Sequence, residues 1–385
     1  MRDYVEIGIG RQARKTYDLD QLSVLPARRT RSSKDVNTEW NIDAYTFSIP
    51  FLSHPTDALA TPEFIIEMDK QGGLGVINAE GLWGRHRDLD QAIQEVIDAY
   101  DNKNSFLRFS ASNATKKLQQ LHTQAIDYDL LSERIAQVRD SGATVAVRVS
   151  PQNARELAPV VIAAGAELLL IQGTIISAEH VATGGEPLNL KEFIGTLDVP
   201  VIAGGVSDYT TALHLMRAGA VGVIVGSGSS AHESTLGIHV PMATAIADIA
   251  AARRDYLDET GGRYVHVIAD GSIHDSGDVV KAIACGADAV VLGQPLSRAR
   301  EAAAHGLYWQ ASAAHPRFPR GMIGYDELSD YDIAPEERVG LEVILHGPSS
   351  DAFGEENFVG GLKRAMAKCG YTELKSFQKV GISVQ

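Results

Sequence analysis

The clearest pattern along the chain is a series of short, uninterrupted apolar runs, each bounded by glycine or polar residues. Three of these runs follow an Ala-Gly-Ala or Cys-Gly-Ala triplet and end in glycine, in segments 164–173, 218–226 and 285–293. Strands that are buried on both faces of a parallel sheet lack the apolar-polar alternation of half-exposed strands. The glycine before each run is typical of a helix C-terminus, and the glycine after it suits a tight turn. The pattern therefore predicts parallel strands joined by helices.

Two longer segments, 199–226 and 265–293, each repeat a whole unit: an apolar strand, a helical stretch and a second apolar strand. Repeated β/α units build either a doubly wound sheet or a closed barrel. The strand count favours an α/β fold of the (β/α)8 TIM-barrel type, because that barrel closes with eight strands. The candidate strands are residues 47–52, 74–78, 144–149, 168–172, 199–203, 221–225, 264–269 and 289–292.

Residues 80–140 form a long polar excursion between the second and third predicted strands. Their pattern is typical of helices and loops, with helices expected near 90–100 and 132–140. The chain has no Ser/Gly-rich linker of the kind that separates two domains. We therefore expect a single domain over residues 1–385, in which an N-terminal extension and a C-terminal appendage accompany the barrel.

The composition excludes several classes of protein. Of the 385 residues, 44% are hydrophobic and 22% are charged, as in average soluble proteins. The 35 basic and 49 acidic residues give a net charge of −14, which disfavours broad binding of nucleic acid. No apolar stretch has the length of a signal peptide core at the start, or the roughly 20 residues of a membrane span. Two cysteines fit a reducing compartment, so we expect a cytoplasmic protein that does not contact membranes.

Glycine-rich loops follow the late strands and are the first candidates for chemistry. Residues 226–231 match the G-x-G-x-x-A dinucleotide fingerprint. A Rossmann unit, however, has an acidic residue about 20 positions further on, at the end of the next strand, and here the next strand copies the one at 199–203. The alternative is a phosphate cradle, because barrel enzymes bind phosphates with loops that follow late strands. Loops 226–230, 270–277 and 293–294 would form this cradle.

Asp270 ends the seventh predicted strand, where its carboxylate is placed to accept hydrogen bonds from sugar hydroxyls. A plainer alternative is that Asp270 only caps a loop and that the glycines only make turns. Asp275 or Ser276 is in position to cap the following helix. The twelve histidines show no His-Glu-x-x-His or other metal-ligand spacing, so we expect no transition metal.

Several segments resemble the IMP dehydrogenase/GMP reductase family over nearly the whole chain. The opening segment YDLDQLSVLP and the strand ends SHPTD and GGLGVI are similar to the family's, as are PMATAIAD, IADGSI and GGLKRAM further on. Full-length relatives insert a pair of CBS regulatory domains between strands two and three, and residues 80–140 are too few for that pair. The resemblance is therefore to the short branch of the family. It implies a homotetrameric barrel that binds a purine 5′-monophosphate beside a nicotinamide cofactor, NAD.

The same resemblance implies which residues form the nucleotide site. Ser229, Gly271 and Gly293 correspond to residues that contact the phosphate. Asp270 corresponds to the residue that holds the ribose hydroxyls, and Met322 to one that lines the base pocket.

A potassium-binding loop of the family corresponds to the carbonyls around Gly226 and Gly228. The catalytic part of that loop reads Gly-x-Gly-Ser-x-Cys-Thr-Thr-Arg in the family, but GSGSSAHES in this chain. The nucleophilic cysteine is thus replaced by Ala231, and the threonine after it by His232.

Other departures from the family lie at the strand ends and in the mobile flap. His54 and Thr56 stand in place of a serine and a methionine after strand one, and Gln294 in place of a phosphate-side serine. The family's cofactor-side aspartate after strand four aligns near Gln172. The flap with its Arg-Tyr pair is reduced to a short stretch around residues 335–340, without such a pair.

The missing thiol matters because a thiolate adds readily to the electron-poor C2 of a purine. Alanine offers no nucleophile. A nearby serine (Ser229, Ser230 or Ser234) would need His232 as its base. Cys285 fills the small-residue position of the strand repeat and Cys369 lies in a helical stretch, so we interpret both as structural.

Two functions remain open on this basis. The chain is either a purine-nucleotide oxidoreductase of the IMP dehydrogenase type, with NAD and altered chemistry, or a catalytically silent nucleotide-binding protein that regulates or assembles with an active relative. Fold alone does not separate them. A third and weaker interpretation, a barrel of the aldolase or isomerase type, would require a lysine at a strand's carboxyl end, and none occurs there.

Overall fold

Eight parallel strands form the central sheet in a computed structural model that describes residues 4–100, 107–177, 188–228, 231–321, 323–325 and 334–385. Each strand from β2 to β8 pairs with the next, and β8 pairs with β1. A parallel bridge between Leu52 and Leu74 joins the two remaining edges, so the sheet closes into the predicted (β/α)8 barrel. The strands are β1 (Phe51–Ser53), β2 (Val76–Asn78), β3 (Ala146–Val149), β4 (Leu168–Gln172), β5 (Val201–Val206), β6 (Gly222–Val225), β7 (His266–Ala269) and β8 (Ala289–Leu292).

The first strand is displaced from its predicted position at 47–52, whereas the other seven lie where the apolar runs predict them. Phe47 instead ends an antiparallel hairpin of two strands, Trp40–Ile42 and Tyr45–Phe47. Pro50 separates this hairpin from β1, and a proline has no N–H to donate to a sheet ladder. The apolar run that begins at Phe47 is therefore two strands rather than one.

The barrel interior is filled by apolar side chains that alternate along the strands with outward-facing ones. Trp40, Ile42 and Phe47 of the hairpin join this interior cluster and close the amino-terminal end of the barrel. Trp40 stacks on Phe47 with ring centroids 5.4 Å apart. Leu74, which makes the bridge to Leu52, also belongs to the cluster. The strand residues of the cluster are Leu52, Val76, Ala146, Leu168, Leu170, Ile202, Ile224, Ile268, Ala289 and Val291.

Helices cover the outside of the barrel and alternate with the strands as a β/α fold requires. None of those in the described ranges combines the length and apolarity that a membrane crossing demands. They are α1 (Pro62–Lys70), α2 (Leu89–Ala99), α3 (Leu107–Leu121), α4 (Tyr128–Asp140), α5 (Ala154–Ala164), α6 (Leu190–Gly195), α7 (Tyr209–Arg217), α8 (Ala231–Leu236), α9 (Met242–Thr260), α10 (Ser276–Cys285), α11 (Leu341–His346), α12 (Phe358–Lys368) and α13 (Leu374–Phe377).

The polar excursion between β2 and β3 consists of α2, α3 and α4. The helices expected near 90–100 and 132–140 are α2 and α4, and their first turns are capped by Asp88 and Asp127, as N-cap preferences predict. α4 packs between α1 and α5, so it takes the place of the barrel helix that connects β2 to β3. Trp83, at the start of the excursion, is fully buried in the core around the barrel.

Short antiparallel pairs attach the chain ends and the late loops to the barrel. Leu22–Val24 pairs with Ile382–Val384, which brings the N-terminal and C-terminal segments together. Leu307–Tyr308 pairs with Gly324–Tyr325. This second pair follows β8 and places Tyr308 and its neighbours beside the carboxyl ends of the strands.

Candidate functional site

A ring of eight residues lies at the carboxyl ends of the strands, one from each strand. Because side chains alternate along a strand, each of these residues comes two positions after an interior residue such as Leu170 or Ile268 and faces the mouth of the barrel. We call this set the mouth ring. It contains no lysine, so it offers no amine for Schiff-base chemistry. Its members are His54, Asn78, Arg148, Gln172, Gly204, Gly226, Asp270 and Gly293.

Three members of the mouth ring form one buried hydrogen-bonded unit. The Asp270 carboxylate accepts a hydrogen bond from Gln172 Nε2 at 2.8 Å, and its other oxygen lies 3.3 Å from His54 Nδ1. All three side chains are buried, with Asp270 only 2% exposed. A buried carboxylate requires such partners, because desolvation of an unpaired charge is costly. The two partners of Asp270 thus come from other strands of the barrel, His54 from the end of β1 and Gln172 from the end of β4.

A second polar network surrounds Arg148 on β3. Its guanidinium donates to Asn78 Oδ1 at 3.2 Å, to Glu80 Oε2 at 3.1 Å and to the backbone oxygen of Gln172 at 2.8 Å. Burial lowers the pKa of Arg148 below its ordinary value, and the neighbouring Glu80 carboxylate opposes this change. Glu80 also accepts from the Ser150 hydroxyl at 2.9 Å. The network holds the Arg148 guanidinium, paired with the Glu80 carboxylate, at the mouth next to Gln172.

Four of the predicted site residues, Gly228, Asp270, Gly271 and Gly293, line one cavity of about 70 Å³, which we call the glycine pocket. A β-carbon on Gly271 would lie 2.7 Å from the Gly228 oxygen, and one on Gly293 would lie 2.4 Å from the Tyr308 hydroxyl. Gly228 and Gly271 also have positive φ angles, of 94° and 149°. Glycine is therefore required by close approach here. The role of these residues in phosphate binding stays a prediction.

The loop after β6 is held against the loop after β7. Gly228 N donates to the Asp270 backbone oxygen at 2.9 Å, and a β-carbon on Gly226 would lie 2.4 Å from that same oxygen. Ala231 and His232 begin α8. Their side chains lie outside the described part of the chain, as do Ser229 and Met322. The potassium role of the carbonyls around Gly226 and Gly228 also stays a prediction.

A segment after β8 completes the mouth, and the sequence analysis missed it. Tyr308 and Gln310 line the glycine pocket together with His54. Burial, and to a lesser extent the Asp270 carboxylate, raises the pKa of Tyr308 well above its ordinary value. The Thr56 hydroxyl donates to the Trp309 backbone oxygen and so anchors the segment. No strand pattern marks these residues, and only the fold brings them to the mouth.

A larger cavity of about 540 Å³, the wide pocket, lies over the ends of β2, β3 and β4. Arg85, Arg148, Arg320 and His122 line it, with Glu80 as their counter-charge. A small cavity of about 30 Å³ lies between the two pockets. It shares lining residues with the glycine pocket on one side and with the wide pocket on the other. The mouth therefore offers a continuous series of sites, and the wide pocket has the size of typical ligand cavities.

Neither cysteine lies at the mouth. Cys285 ends α10, which begins beside the mouth at its Asp275 cap and runs to the amino-terminal end of the barrel, where β8 starts. Burial raises the pKa of Cys285 to about 11. Cys369 is buried at the end of α12, and burial raises the pKa of its thiol as well. Within the described ranges, no three His, Cys, Asp or Glu side chains gather in an arrangement that could hold a metal ion.

Fold and mouth together define the class: a TIM-barrel protein with a glycine-lined pocket and a wide cationic pocket at the carboxyl ends of its strands. The family model described as "IMP dehydrogenase / GMP reductase domain" matches residues 15–384. The chain therefore belongs to the IMP dehydrogenase/GMP reductase family.

Individual relatives agree with this placement. The crystal structure of an IMP dehydrogenase/GMP reductase-like protein from Corynebacterium glutamicum is 68% identical and superposes with a TM-score of 0.93, covering 100% of this chain and 98% of that one. A Mycolicibacterium smegmatis protein named an uncharacterized oxidoreductase is 60% identical over 384 residues, 99% of each chain. The inosine-5′-monophosphate dehydrogenase of Methanocaldococcus jannaschii is 24% identical, covering 96% of this chain and 92% of its own.

Proposed function

We propose that this chain binds a purine 5′-monophosphate at the barrel mouth. The observation that carries the proposal is the convergence of Gly228, Gly271 and Gly293 with Asp270 on one small pocket. Positions without β-carbons let backbone N–H groups approach a phosphate closely, and a carboxylate at the rim accepts from sugar hydroxyls. The phosphate would lie in the glycine pocket, with Ser229 beside it and Met322 against the base.

NAD is the cofactor that family membership suggests, and the wide pocket suits it in size and charge. The arginines Arg85, Arg148 and Arg320 would bind the dinucleotide's phosphates, because guanidinium groups pair well with phosphate oxygens. When bound, NAD would supply a hydride acceptor at its nicotinamide ring. By the same family resemblance we propose a homotetramer in the cytoplasm and a potassium ion at the carbonyls around Gly226 and Gly228.

We further propose that the chain does not use the family's covalent mechanism. Ala231 offers no nucleophile, and the two thiols of the chain lie away from the mouth. As an IMP dehydrogenase-like oxidoreductase, the protein would therefore turn over weakly or not at all.

The second candidate is a catalytically silent nucleotide-binding protein with a regulatory or assembly role. It is favoured by Ala231 and His232, which stand where the resemblance places the nucleophilic cysteine and the threonine after it. NADH absorbance with IMP, NAD and potassium separates the two candidates: multiple turnovers favour the enzyme, and a flat trace favours the silent protein. We expect the flat trace.

The binding proposal is tested by a ligand-shift screen of IMP, XMP, GMP and AMP, with and without NAD(H) and NADP(H). A ligand that binds only the folded state stabilises it by about 2.7 kcal/mol at 100 times its Kd. Asp270→Ala is expected to weaken the binding of nucleosides and nucleotides alike. Ser229→Ala is expected to weaken the binding of phosphorylated ligands only. Asp198→Ala, an exposed site before β5 at the opposite end of the barrel, is the control. If no purine nucleotide raises the melting temperature at millimolar concentration, the proposal is wrong.

A further inference from the structure

The side-chain oxygen of Gln172 is buried without a hydrogen-bond partner among the described residues. Gln172 is 5% exposed and lies at the end of β4, in the mouth ring. An amide oxygen that is removed from water and left unpaired carries the full desolvation cost of that group. Native structures contain few such groups, and each calls for a specific explanation.

The orientation of this amide is fixed by its neighbour. Gln172 Nε2 donates to Asp270 Oδ2 at 2.8 Å. The flipped amide would place Oε1 against the carboxylate, so two acceptors would face each other. The backbone of Gln172 is held as well, because Arg148 donates to its carbonyl oxygen at 2.8 Å. Oε1 is therefore an acceptor that points away from Asp270 and has a defined position.

The side chain that carries this acceptor borders a cavity, although the oxygen itself is buried from solvent. Gln172 lines the small cavity between the glycine pocket and the wide pocket. The next two strands, β5 and β6, contribute Gly204 and Gly226 to the mouth ring, so neither of these two positions carries a side chain that could donate to Gln172. Among the described residues, Gln172 Oε1 therefore has no hydrogen-bond donor.

We propose that Gln172 Oε1 accepts a hydrogen bond from a ribose hydroxyl of the bound nucleotide, so that Gln172 and Asp270 bind the two hydroxyls of the sugar diol together. This inference rests on the proposed nucleotide binding and deepens it. The two acceptors belong to groups joined by a 2.8 Å hydrogen bond, and the neighbouring hydroxyls of a ribose can reach one acceptor each. Gln172 is then a specificity-determining residue that selects ribonucleotides over deoxyribonucleotides.

The test measures the Kd values of IMP, 2′-deoxy-IMP and 3′-deoxy-IMP by calorimetry for three proteins: wild type, Gln172→Met and His54→Ala. Wild type is expected to bind each deoxy ligand about tenfold more weakly than IMP, because each loses a hydrogen bond and leaves a buried acceptor unpaired. In Gln172→Met, which keeps the side-chain length but has no amide, one of these two penalties disappears and the other remains. His54→Ala removes the other partner of Asp270 but leaves Oε1 in place, so it is expected to keep both penalties.

The outcomes separate this inference from the binding proposal. If wild type binds none of the three ligands, both are wrong. If IMP binds but Gln172→Met retains both penalties, the binding proposal stands and the role of Gln172 is overturned. The role of Gln172 is also overturned if Gln172→Met loses both penalties, because the oxygen would then act through Asp270. It is overturned as well if the substitution weakens only the binding of NAD, because the oxygen would then serve the cofactor.

Discussion

Asp270 is the single carboxylate of the mouth ring, and its burial explains the choice of its neighbours. Asp270 is only 2% exposed, so its carboxylate requires hydrogen-bond partners. His54 and Gln172, which lie on other strands of the barrel, are these partners. The three side chains act as one unit, because a change in one removes a partner from another. Substitutions at positions 54 and 172 are therefore expected to have coupled rather than independent effects.

At the residue scale, the strand ends could be predicted from sequence and their cross-barrel contacts could not. Gly226, Asp270 and Gly293 each follow a recognisable apolar run, so their place at the mouth follows from the strand pattern. The bond from Gln172 to Asp270 spans 98 positions, and nothing local to either residue signals it. Tyr308 and Gln310 were missed for the same reason.

The first prediction concerns the thiols. Neither Cys285 nor Cys369 should react rapidly with a disulfide reagent such as DTNB at pH 8 in the native protein. The reactive species is the thiolate, and with a pKa of about 11 only about one Cys285 in a thousand is ionised at that pH. Denatured protein is the control and should release two equivalents of the chromophore. A rapid stoichiometric phase in native protein would show an activated thiol and contradict the account.

The second prediction concerns the glycine pocket. Gly293→Ala should destabilise the fold by about 1–3 kcal/mol, because its β-carbon would lie 2.4 Å from the Tyr308 hydroxyl. Adding Tyr308→Phe should recover part of the loss by removing that oxygen. Gly195→Ala is the control, because nothing lies within 4 Å of its β-carbon. Urea denaturation measures all of these variants. Equal stabilities for Gly293→Ala and wild type would mean that the Tyr308 hydroxyl does not lie this close to Gly293, and would contradict the prediction.

At the scale of elements, the hairpin of residues 40–47 forms the floor of the barrel. Trp40 Nε1 donates to His266 Nδ1 at 3.2 Å, which fixes the hairpin to the start of β7. Burial lowers the pKa of His266, with Lys375 and Arg253 acting in the same direction and Asp288 opposing them. The neutral imidazole is thus the form that the folded protein favours.

The third prediction is a loss of stability in acid that depends on His266. Its folded pKa lies below the unfolded value of about 6.5, so its contribution is complete above that pH. As the pH falls below 6.5, the unfolded state binds a proton that the folded state does not, and stability falls by up to about 1.4 kcal/mol per pH unit. The free energy of unfolding should therefore drop less between pH 7.5 and 5.5 in His266→Asn, which keeps an acceptor for Trp40.

His214→Asn, at an exposed position on α7, is the matched control and should keep the pH dependence of wild type. An identical drop in wild type and His266→Asn would show that His266 titrates equally in both states, against the prediction.

The elements themselves were largely predictable because buried parallel strands leave an unambiguous apolar signature. The floor hairpin was not, because the run from Phe47 to Leu52 continues the apolar pattern through Pro50 and conceals the break between two strands. The polar pattern of residues 80–140 predicted two of their helices, near 90–100 and 132–140. Their packing between α1 and α5, however, follows from the closure of the barrel rather than from local sequence.

At the scale of the whole molecule, overall charge and local charge differ in sign. The chain carries a net charge of −14, yet Arg85, Arg148 and Arg320 line the wide pocket. Such a concentration of like charge in a cleft attracts a small anion even to an acidic protein. Since neither cysteine lies at this mouth, the proposed function is that the barrel holds a nucleotide by non-covalent contacts alone.

This central claim is tested most directly by mass spectrometry of the protein incubated with IMP, NAD and potassium, recorded under native and then under denaturing conditions. The account predicts one bound nucleotide per chain in the native spectrum and the mass of the unmodified chain after denaturation. Ala231→Cys should restore little covalent adduct, because His232 and the shortened flap are unchanged. A native spectrum without nucleotide would contradict the binding claim, and a wild-type adduct that survives denaturation would contradict the absence of covalent chemistry.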